Sequence, residues 1–487
     1  MTFLERQSKT EPNYHMNTTT LSTKEKSVHI NIDSNYYGAI AEIGGGQETV
    51  RHLFQAGGAS NTVAKSISAY DMLFSDHFYN KGNPSRHVAE EHLRKMIDYE
   101  YGELIEILDK KNTRKFFAFA NTVETLNFAK TNQGNGWLGI AVEGTDRYRP
   151  NKMFIHVKLH ENDTLLQQNT LGALGINLIY GGLFQWEDPR DVLLSLLDNL
   201  DTGRVEVDYV YVEGPDLKWI DNRLLNLMLV SNDMTPAIMF DQSGKVQQPG
   251  ELLYKKNVIV LRGYFRPINN LGMEFIEDSL ANFKLDEDYR PDNTIAFCEI
   301  SLKYLIQNEK VDEKDFLHRV DLLNMMGQSV MISKFYRYFQ LVKYFAQFKL
   351  IKLRLVVGLP TFDKILDPSN YTDLRGGLLE AMGALFQENV KVYLYPYIDM
   401  NTGEVIYPED SYFSETNRML WQYLNATQKI LILKSIKPKT LEISSETITN
   451  LIESGNEKLI DYVPSAVYQH IKQNKLFGYN QNKLSGR

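Results

Sequence analysis

The run LRLVVGLPTFDKILDPSNYTDLRGGLLEAMGALFQENVKVYLY, residues 353–395, decides the fold. It opens on an apolar strand at 353–357, passes through a helical stretch at 374–386 and closes on a second apolar strand at 390–395. The same unit recurs on either side. A strand at 329–333 leads into a helix over 336–347, and the strand at 390–395 leads into a helix over 416–425 before a last strand at 429–433. Strand–helix units in series imply a parallel sheet, because the chain must cross back to the starting edge before it can pair again. The strands are continuous apolar runs rather than alternating ones, as expected where helices cover both faces.

Working upstream, residues 255–261 end in Val258-Ile-Val-Leu261, a buried strand that runs into Arg262-Gly263. Before it, Met153, Ile155, Val157 and Leu159 alternate with Phe154, His156 and Lys158, the pattern of a half-buried strand. Helices are expected over 165–184, 192–200 and 217–230, a strand over 205–212, and a hairpin from 237–240 to 245–248 turning on Asp241 to Gly244. Residues 30–150 differ in texture: a Gly-rich α+β segment with a helix over 89–108, a short strand over 116–120 and a loop over 131–139. The division expected is a flexible tail at 1–29, the Gly-rich region at 30–150, a first α/β part at 151–250, a second at 251–440 and C-terminal helices with a tail at 441–487. The fold class expected is α/β, a mostly parallel sheet with helices on both faces, either open and Rossmann-like or barrel-like, after a Gly-rich N-terminal α+β segment.

Composition narrows the function. The 487 residues carry a net charge of −8, so a protein that coats a nucleic-acid polymer is a poor fit, since that binding neutralises phosphates. The one cysteine, Cys298, excludes an internal disulfide framework and a Cys-based zinc site, and points to a reducing compartment. Residues 1–26 lack an apolar core of the kind an export signal needs. The most membrane-like stretch, 171–184, contains Asn177 and four glycines and falls short of the roughly 20 residues a span requires. A cytoplasmic protein with no membrane partner is expected.

Ligands of parallel α/β sheets bind beyond the carboxyl ends of the strands. That rule selects the loops at 262–270, 333–335, 358–362 and 396–399, which offer Arg262, Arg266, Ser333, Lys334, Thr361 and Asp399. The strand and loop from Val258 to Ile268 resemble the first motif of the nucleotidyltransferase superfamily that includes nicotinate- and nicotinamide-mononucleotide adenylyltransferases. There a buried strand ends in Gly-x-Phe-x-Pro-(Ile/Thr)-His-x-Gly-His, and Gly263, Phe265, Pro267 and Ile268 match. The whole chain is similar to a group of bacterial proteins of comparable length catalogued under a nicotinate-nucleotide adenylyltransferase label. The resemblance implies a protein that binds a small phosphate or nucleotide ligand through Gly263, Tyr264, Phe265, Arg266, Pro267 and Asn269, with Ser333 and Thr361. It implies ATP and a mononucleotide joined to a dinucleotide with release of pyrophosphate, and Mg²⁺ as cofactor if that activity is present. The family's two catalytic histidines are replaced here by Asn269 and Gly272, neither of which carries charge, so Arg266, Arg262 and Lys334 stand as substitutes by charge, with Arg266 and Lys334 as the catalytic candidates. The alternative is a non-catalytic binding or scaffold protein on the same α/β core.

Four other constellations carry residues of chemical interest. The clusters Glu42-Ile-Gly-Gly-Gly46 and Ala56 to Lys65 offer an anion site through Gly57, Gly58, Ser60, Thr62 and Lys65, with Arg51 nearby, or a packed turn before a helix over 61–72 capped by Ser60 or Asn61. His77, His87 and His92 match no zinc spacing and read as a mixed-charge helix start, so no metal is expected. His156 and His160 lie about 13 Å apart along a strand, too far to share one ion. The aromatic stretch 336–348 reads as an amphipathic core helix.

Overall fold

Ser22-Thr-Lys-Glu25 starts the first helix by a reciprocal cap, each side chain bonding the other residue's backbone N–H. The structure, a computed structural model, describes residues 20–479 except 111–112, 202, 288, 409–411 and 435–436. The expected tail therefore lies largely outside the described residues, and its described end is helix α1 (Thr23–Ile32) rather than a tail. The chain forms two compact units, 1–150 with 159–205 and 151–158 with 206–487.

The first unit continues through β1 (Tyr36–Gly44), α2 (Glu48–Ala56), β2 (Val63–Ile67), α3 (Met72–Tyr79), α4 (Glu90–Leu108), β3 (Lys115–Glu124), β4 (Asn135–Val142), α5 (Thr164–Phe184) and α6 (Pro189–Ser195). Its strands lie in the order β2-β1-β3-β4, parallel except for the β3–β4 pair. The helix expected over 61–72 is corrected: 63–67 is strand β2. Thr62, Val63 and Ile67 are β-branched, and pairing with β1 outweighs the helical spacing. Likewise β4 begins inside the stretch read as a loop. The apolar stretch 171–184 is the buried helix α5, packed on α2 so closely that a Cβ at Gly175 would sit 2.2 Å from Thr49 Oγ1. Asn177 in its midst accepts from Lys26 Nζ and donates to the carbonyls of Leu196 and Asp198, so its polarity is satisfied. Among the described residues no helix is long and apolar enough to cross a membrane.

The second unit opens with β5 (Asn151–Leu159) and its neighbour β6 (Val205–Glu213), then α7 (Asn222–Ser231), the hairpin β7 (Ala237–Phe240) and β8 (Val246–Gln247), and α8 (Pro249–Leu253). The main alternation follows: β9 (Asn257–Arg262), α9 (Asn270–Phe283), β10 (Thr294–Ser301), the small pair β11 (Ile306–Gln307) and β12 (Lys310–Val311), α10 (Glu313–Met325), β13 (Ser329–Ser333), α11 (Tyr338–Ala346) and β14 (Lys352–Gly358). It ends with α12 (Leu359–Ile365), α13 (Gly377–Leu385), β15 (Val390–Tyr395), the pair β16 (Tyr397–Ile398) and β17 (Val405–Ile406), α14 (Glu415–Ala426), β18 (Ile430–Ile432), α15 (Pro438–Leu441), α16 (Ser445–Glu453) and α17 (Ser465–Asn474).

Eight strands form one open sheet in the order β18-β15-β14-β9-β10-β13-β7-β8, so the barrel alternative is excluded. The first six are mutually parallel, and the β7–β8 hairpin is added antiparallel at one edge. Counted along the chain, the six parallel strands lie in the order 3-2-1-4-5-6 of doubly wound, Rossmann-like sheets, with the reversal between β9 and β14. Strand β10 was missed in the sequence because Glu299 and Ser301 interrupt its apolar run. One face of the sheet packs Val258, Val260, Leu353, Leu355, Val390 and Val392 against the helices α11 to α14. On the other, Tyr395 stacks on Phe275 of α9 and bonds Ser279 there. The aromatic stretch around 339–345 is core, as its spacing predicted.

Strand β5 departs from expectation, because both its faces are buried. His156 Nδ1 lies 2.5 Å from Asp208 Oδ1, and Lys158 reaches Glu206 at 3.1 Å and Asp208 at 3.3 Å. Gln248 donates to the other Asp208 oxygen. Burial alone would raise the Asp208 carboxyl, but His156 and Lys158 prevail and hold it at about 2. A folded value below the unfolded one, about 3.9, adds stability above pH 4 that disappears as pH falls toward 2. Asp208→Asn is expected to cost about 3–5 kcal/mol at pH 7, because Lys158 loses a partner within the core, and to flatten the acid limb between pH 4 and 2. Urea unfolding at several pH values measures both, and an unchanged midpoint would refute the pairing.

Candidate functional site

The carboxyl ends of β9, β10, β13, β14 and β15 share one edge, so the four loops selected from the sequence do emerge on one side of the sheet. They do not form one cluster. Neighbouring strands are about 4.8 Å apart, and β13 stands three places from β14, so Ser333 and Thr361 leave the sheet on strands about 14 Å apart. The Gly263–Asn269 loop and the Gly358–Thr361 segment are adjacent, on either side of the β9–β14 reversal.

Arg262, Lys334 and Arg266 each carry a counter-charge at this edge. Arg262 ends β9 directly across from Glu299 of β10, with Nε 2.5 Å from Oε2 and Nη2 3.2 Å from Oε1. Ser333 of β13 donates to the same carboxylate, and the Tyr338 ring lies 4.8 Å under the guanidinium. Burial opposes the charge on Arg262, but Glu299 outweighs it and raises the group above the ordinary arginine value. Lys334 forms an ion pair with Asp233, and burial lowers its pKa. Arg266 Nε lies 2.6 Å from Asp315 Oδ1. The fully buried Arg319, one turn further along α10, pairs with the same Asp315, donates to the Tyr264 and Tyr304 carbonyls and stacks on the Tyr264 ring. Arg266, Arg319 and Asp315 therefore form a trio of net charge +1, whereas Arg262 and Lys334 are matched one to one.

The remaining predicted residues divide into buried supports and exposed groups. Phe265, Pro267 and Ile268 are buried, and Gly263 N–H donates to the Glu299 carbonyl. Tyr264 is 37% exposed and Thr361 is exposed on α12. Asn269 is the N-cap of α9, accepting from Gly272 N–H at 2.8 Å. Gly272 lies in the first turn, where a Cβ would meet Ile268 at 2.8 Å. The next residue, Asn270, donates its N–H to the Tyr462 carbonyl and its amide to that of Asp461, while Phe477 lies under Arg266. The C-terminal segment thus supplies acceptors at the start of α9. Asp399 closes a tight turn, its Oδ1 accepting from Asn401 N–H. A cavity of about 400 Å³ lies beyond β13, lined by Phe335, Arg337, Phe339, Lys343, Tyr344 and Asp373 among others.

The anion-site candidates of the first unit are dispersed. Gly57 and Gly58 have φ of +82° and +77° in a turn, and Ser60 is exposed beside them. Thr62 is buried and donates to the Ile30 carbonyl. Lys65 lies on β2 between Glu100, at 2.9 Å, and Glu103, and Arg51 pairs with Glu48. The Glu42–Gly46 turn serves packing: at Gly44, φ is +75° and a Cβ would sit 2.1 Å from the Val123 carbonyl oxygen. The Glu42 carboxylate accepts from Thr49 N–H, Val50 N–H and Asn121.

The groups that sequence reasoning missed are the counter-charges Glu299, Asp315 and Asp233, with Arg319. For Glu299 a signal existed, since a lone carboxylate in a strand as apolar as Ala296 to Ile300 requires a buried partner. Neither a protein-family model nor a curated protein sequence matches the chain. Among solved structures it aligns with the competence/damage inducible protein CihA from Agrobacterium tumefaciens, at 13% identity over 34% of this chain and 96% of that one, with a TM-score of 0.25. A competence-damaged protein (CinA) superfamily member from Escherichia coli aligns at 13% identity over 34% of this chain and 90% of its own, with a TM-score of 0.23.

Glu299→Gln keeps the shape of the β9–β10–β13 junction but removes the counter-charge of Arg262. The expected cost is about 3 kcal/mol, and the double variant Arg262→Met/Glu299→Leu should recover most of it, because the buried charge disappears with its partner. Denaturant midpoints of the three variants decide this, and a double variant no better than Glu299→Gln would contradict it.

Proposed function

We propose that this protein binds a nucleotide or a related phosphorylated small molecule in the crevice between the Gly263–Asn269 loop and the Gly358–Thr361 segment, without transferring an adenylyl group. The observation that carries this reading is the strand order, with its reversal between β9 and β14, the place where open α/β sheets hold their ligands. The net-positive trio of Arg266, Arg319 and Asp315 beneath the same loop supplies attraction for an anion despite the acidic whole. The exposed Tyr264 ring offers a stacking surface, and Thr361 a hydroxyl.

Two observations weigh against transfer. Adenylyl transfer needs donors aimed at charge developing on the α-phosphorus. At the matching positions Asn269 spends its side chain capping α9 and Gly272 has none. Nor does the edge suit a protein-held Mg²⁺, since Glu299 and Asp315 are taken by arginines, so any such ion would arrive with the nucleotide's own phosphates. A second location is favoured by the cavity beyond β13, where aromatic walls and Lys343 could take the same class of ligand.

Calorimetric titration with ATP and with nicotinate mononucleotide, followed by an assay for pyrophosphate, tests the reading. One ligand per chain with no pyrophosphate is expected, and Arg266→Ala should weaken binding at least tenfold. Pyrophosphate release would overturn the non-catalytic reading, and no binding of either compound would remove the nucleotide. If Lys343→Ala abolishes binding and Arg266→Ala leaves it intact, the ligand lies beyond β13 instead.

A further inference from the structure

The first unit brings together three side chains that no spacing pattern in the sequence joins. Asp76 on α3 and His92 on α4 are both buried, and His87 stands half-buried on the segment between the two helices. One ligand atom from each lies within 4.8 Å of the others. His87 Nε2 is 3.5 Å from Asp76 Oδ2, and the two imidazole rings are 4.9 Å apart. Reading His77, His87 and His92 as a surface helix start omitted Asp76, which only the packing of α3 on α4 brings in.

The hydrogen bonds set the direction of the lone pairs. His92 Nε2 lies 2.9 Å from Ser75 Oγ, and the opposite nitrogen, Nδ1, lies 3.1 Å from the Asn80 amide nitrogen. That amide also donates to Asp76 Oδ1 at 2.9 Å, as does Ser85 Oγ. An amide nitrogen can only donate, so His92 presents the Nδ1 lone pair toward the cluster and carries its proton on Nε2, fixed by Ser75. Metal-binding imidazoles are commonly held in this way, one nitrogen facing the ion and the other anchored by an outer partner. The Asn80 amide places its partial positive charge between the Asp76 oxygen and the His92 nitrogen, in the field a cation would take over. Among the described residues His87 Nδ1 is buried with no hydrogen-bond partner, so this ring's polarity is left incomplete. Asn80 and Ser85 also line a cavity of about 500 Å³, bordered by Tyr79, Lys81, Arg86 and the ion pair Lys95–Glu91.

We propose that Asp76, His87 and His92 form a binding site for a divalent transition metal of the zinc class, separated from this cavity by Asn80 and Ser85. Two imidazole nitrogens and one carboxylate oxygen suit Zn²⁺ or Co²⁺, whereas Mg²⁺ and Ca²⁺ prefer an all-oxygen shell. Three protein ligands leave a fourth position for water or a small anion. The site belongs to the first unit and is independent of the nucleotide reading.

The test uses the full chain after removal of metals with a chelator. Titration with Co²⁺ should give the visible bands of four-coordinate cobalt at one equivalent per chain, abolished by Zn²⁺ and untouched by excess Mg²⁺. His87→Ala, at the least buried ligand, and Asp76→Asn should each weaken cobalt binding at least tenfold. Zn²⁺ should raise the thermal midpoint of the parent chain and not that of His87→Ala, a readout that stands even if Asp76→Asn folds poorly. Absence of the cobalt bands, or bands that persist at full strength in His87→Ala, would overturn the proposal.

Discussion

A carboxylate with no exposed surface, Glu299, sits in the parallel sheet, and much of the second unit depends on how it is satisfied. An uncompensated carboxylate at that depth would cost several kcal/mol or abandon its charge. Arg262 answers from β9 on one side and Ser333 from β13 on the other, so one group ties three adjacent strands at their carboxyl ends. Parallel strands have evenly spaced bonds and no tight turn to set their register. A three-way contact among β9, β10 and β13 supplies that reference, and the Gly263 loop leaves the sheet from it.

Fixing the loop this way also sorts the charges. Cations placed at strand ends look available in a linear reading, but a cation at the mouth of a buried sheet is partly desolvated and recruits a counter-ion during folding. Arg262 and Lys334 are neutralised in this manner. Where two arginines share one aspartate, at Arg266, Arg319 and Asp315, a net positive charge survives, and it survives under the loop at the strand reversal. The acidic total of the chain therefore says little about this edge.

The strands of the second unit were legible wherever burial on both faces made them continuous apolar runs, as at 258–261, 329–333 and 390–395. The same criterion hid β10, because its carboxylate reads as a break when its partner is unknown. It misread β2 as well, since Val63 and Ile67 suit one helical turn as readily as a strand and only β1 decides between them. The position of the Gly263 loop followed from the strand before it, but its electrostatics did not. Asp315 lies 49 residues from Arg266 in sequence, and Asp233 lies 101 from Lys334. No local pattern encodes such pairs. The same holds for Asp76 with His87 and His92, where a helix-to-helix contact creates the cluster.

Two helix starts, those of α2 and α9, share a further feature. At the start of α2 the amides of Thr49 and Val50 donate to the Glu42 carboxylate, an anion supplied by the chain itself. Burial pushes that carboxyl up to about 7 against the pull of these bonds, so the donors hold a group whose charge is poised near neutrality. At the start of α9 the acceptors are the Asn269 side chain and the Tyr462 carbonyl. A helix N-terminus attracts phosphate only while its N–H groups lack partners. Here internal oxygens accept from two of them at each helix start. On the proposed reading, recognition of an anion by the second unit falls to side chains, chiefly Arg266, whose guanidinium is held by Asp315 and Phe477 and retains some exposure to solvent.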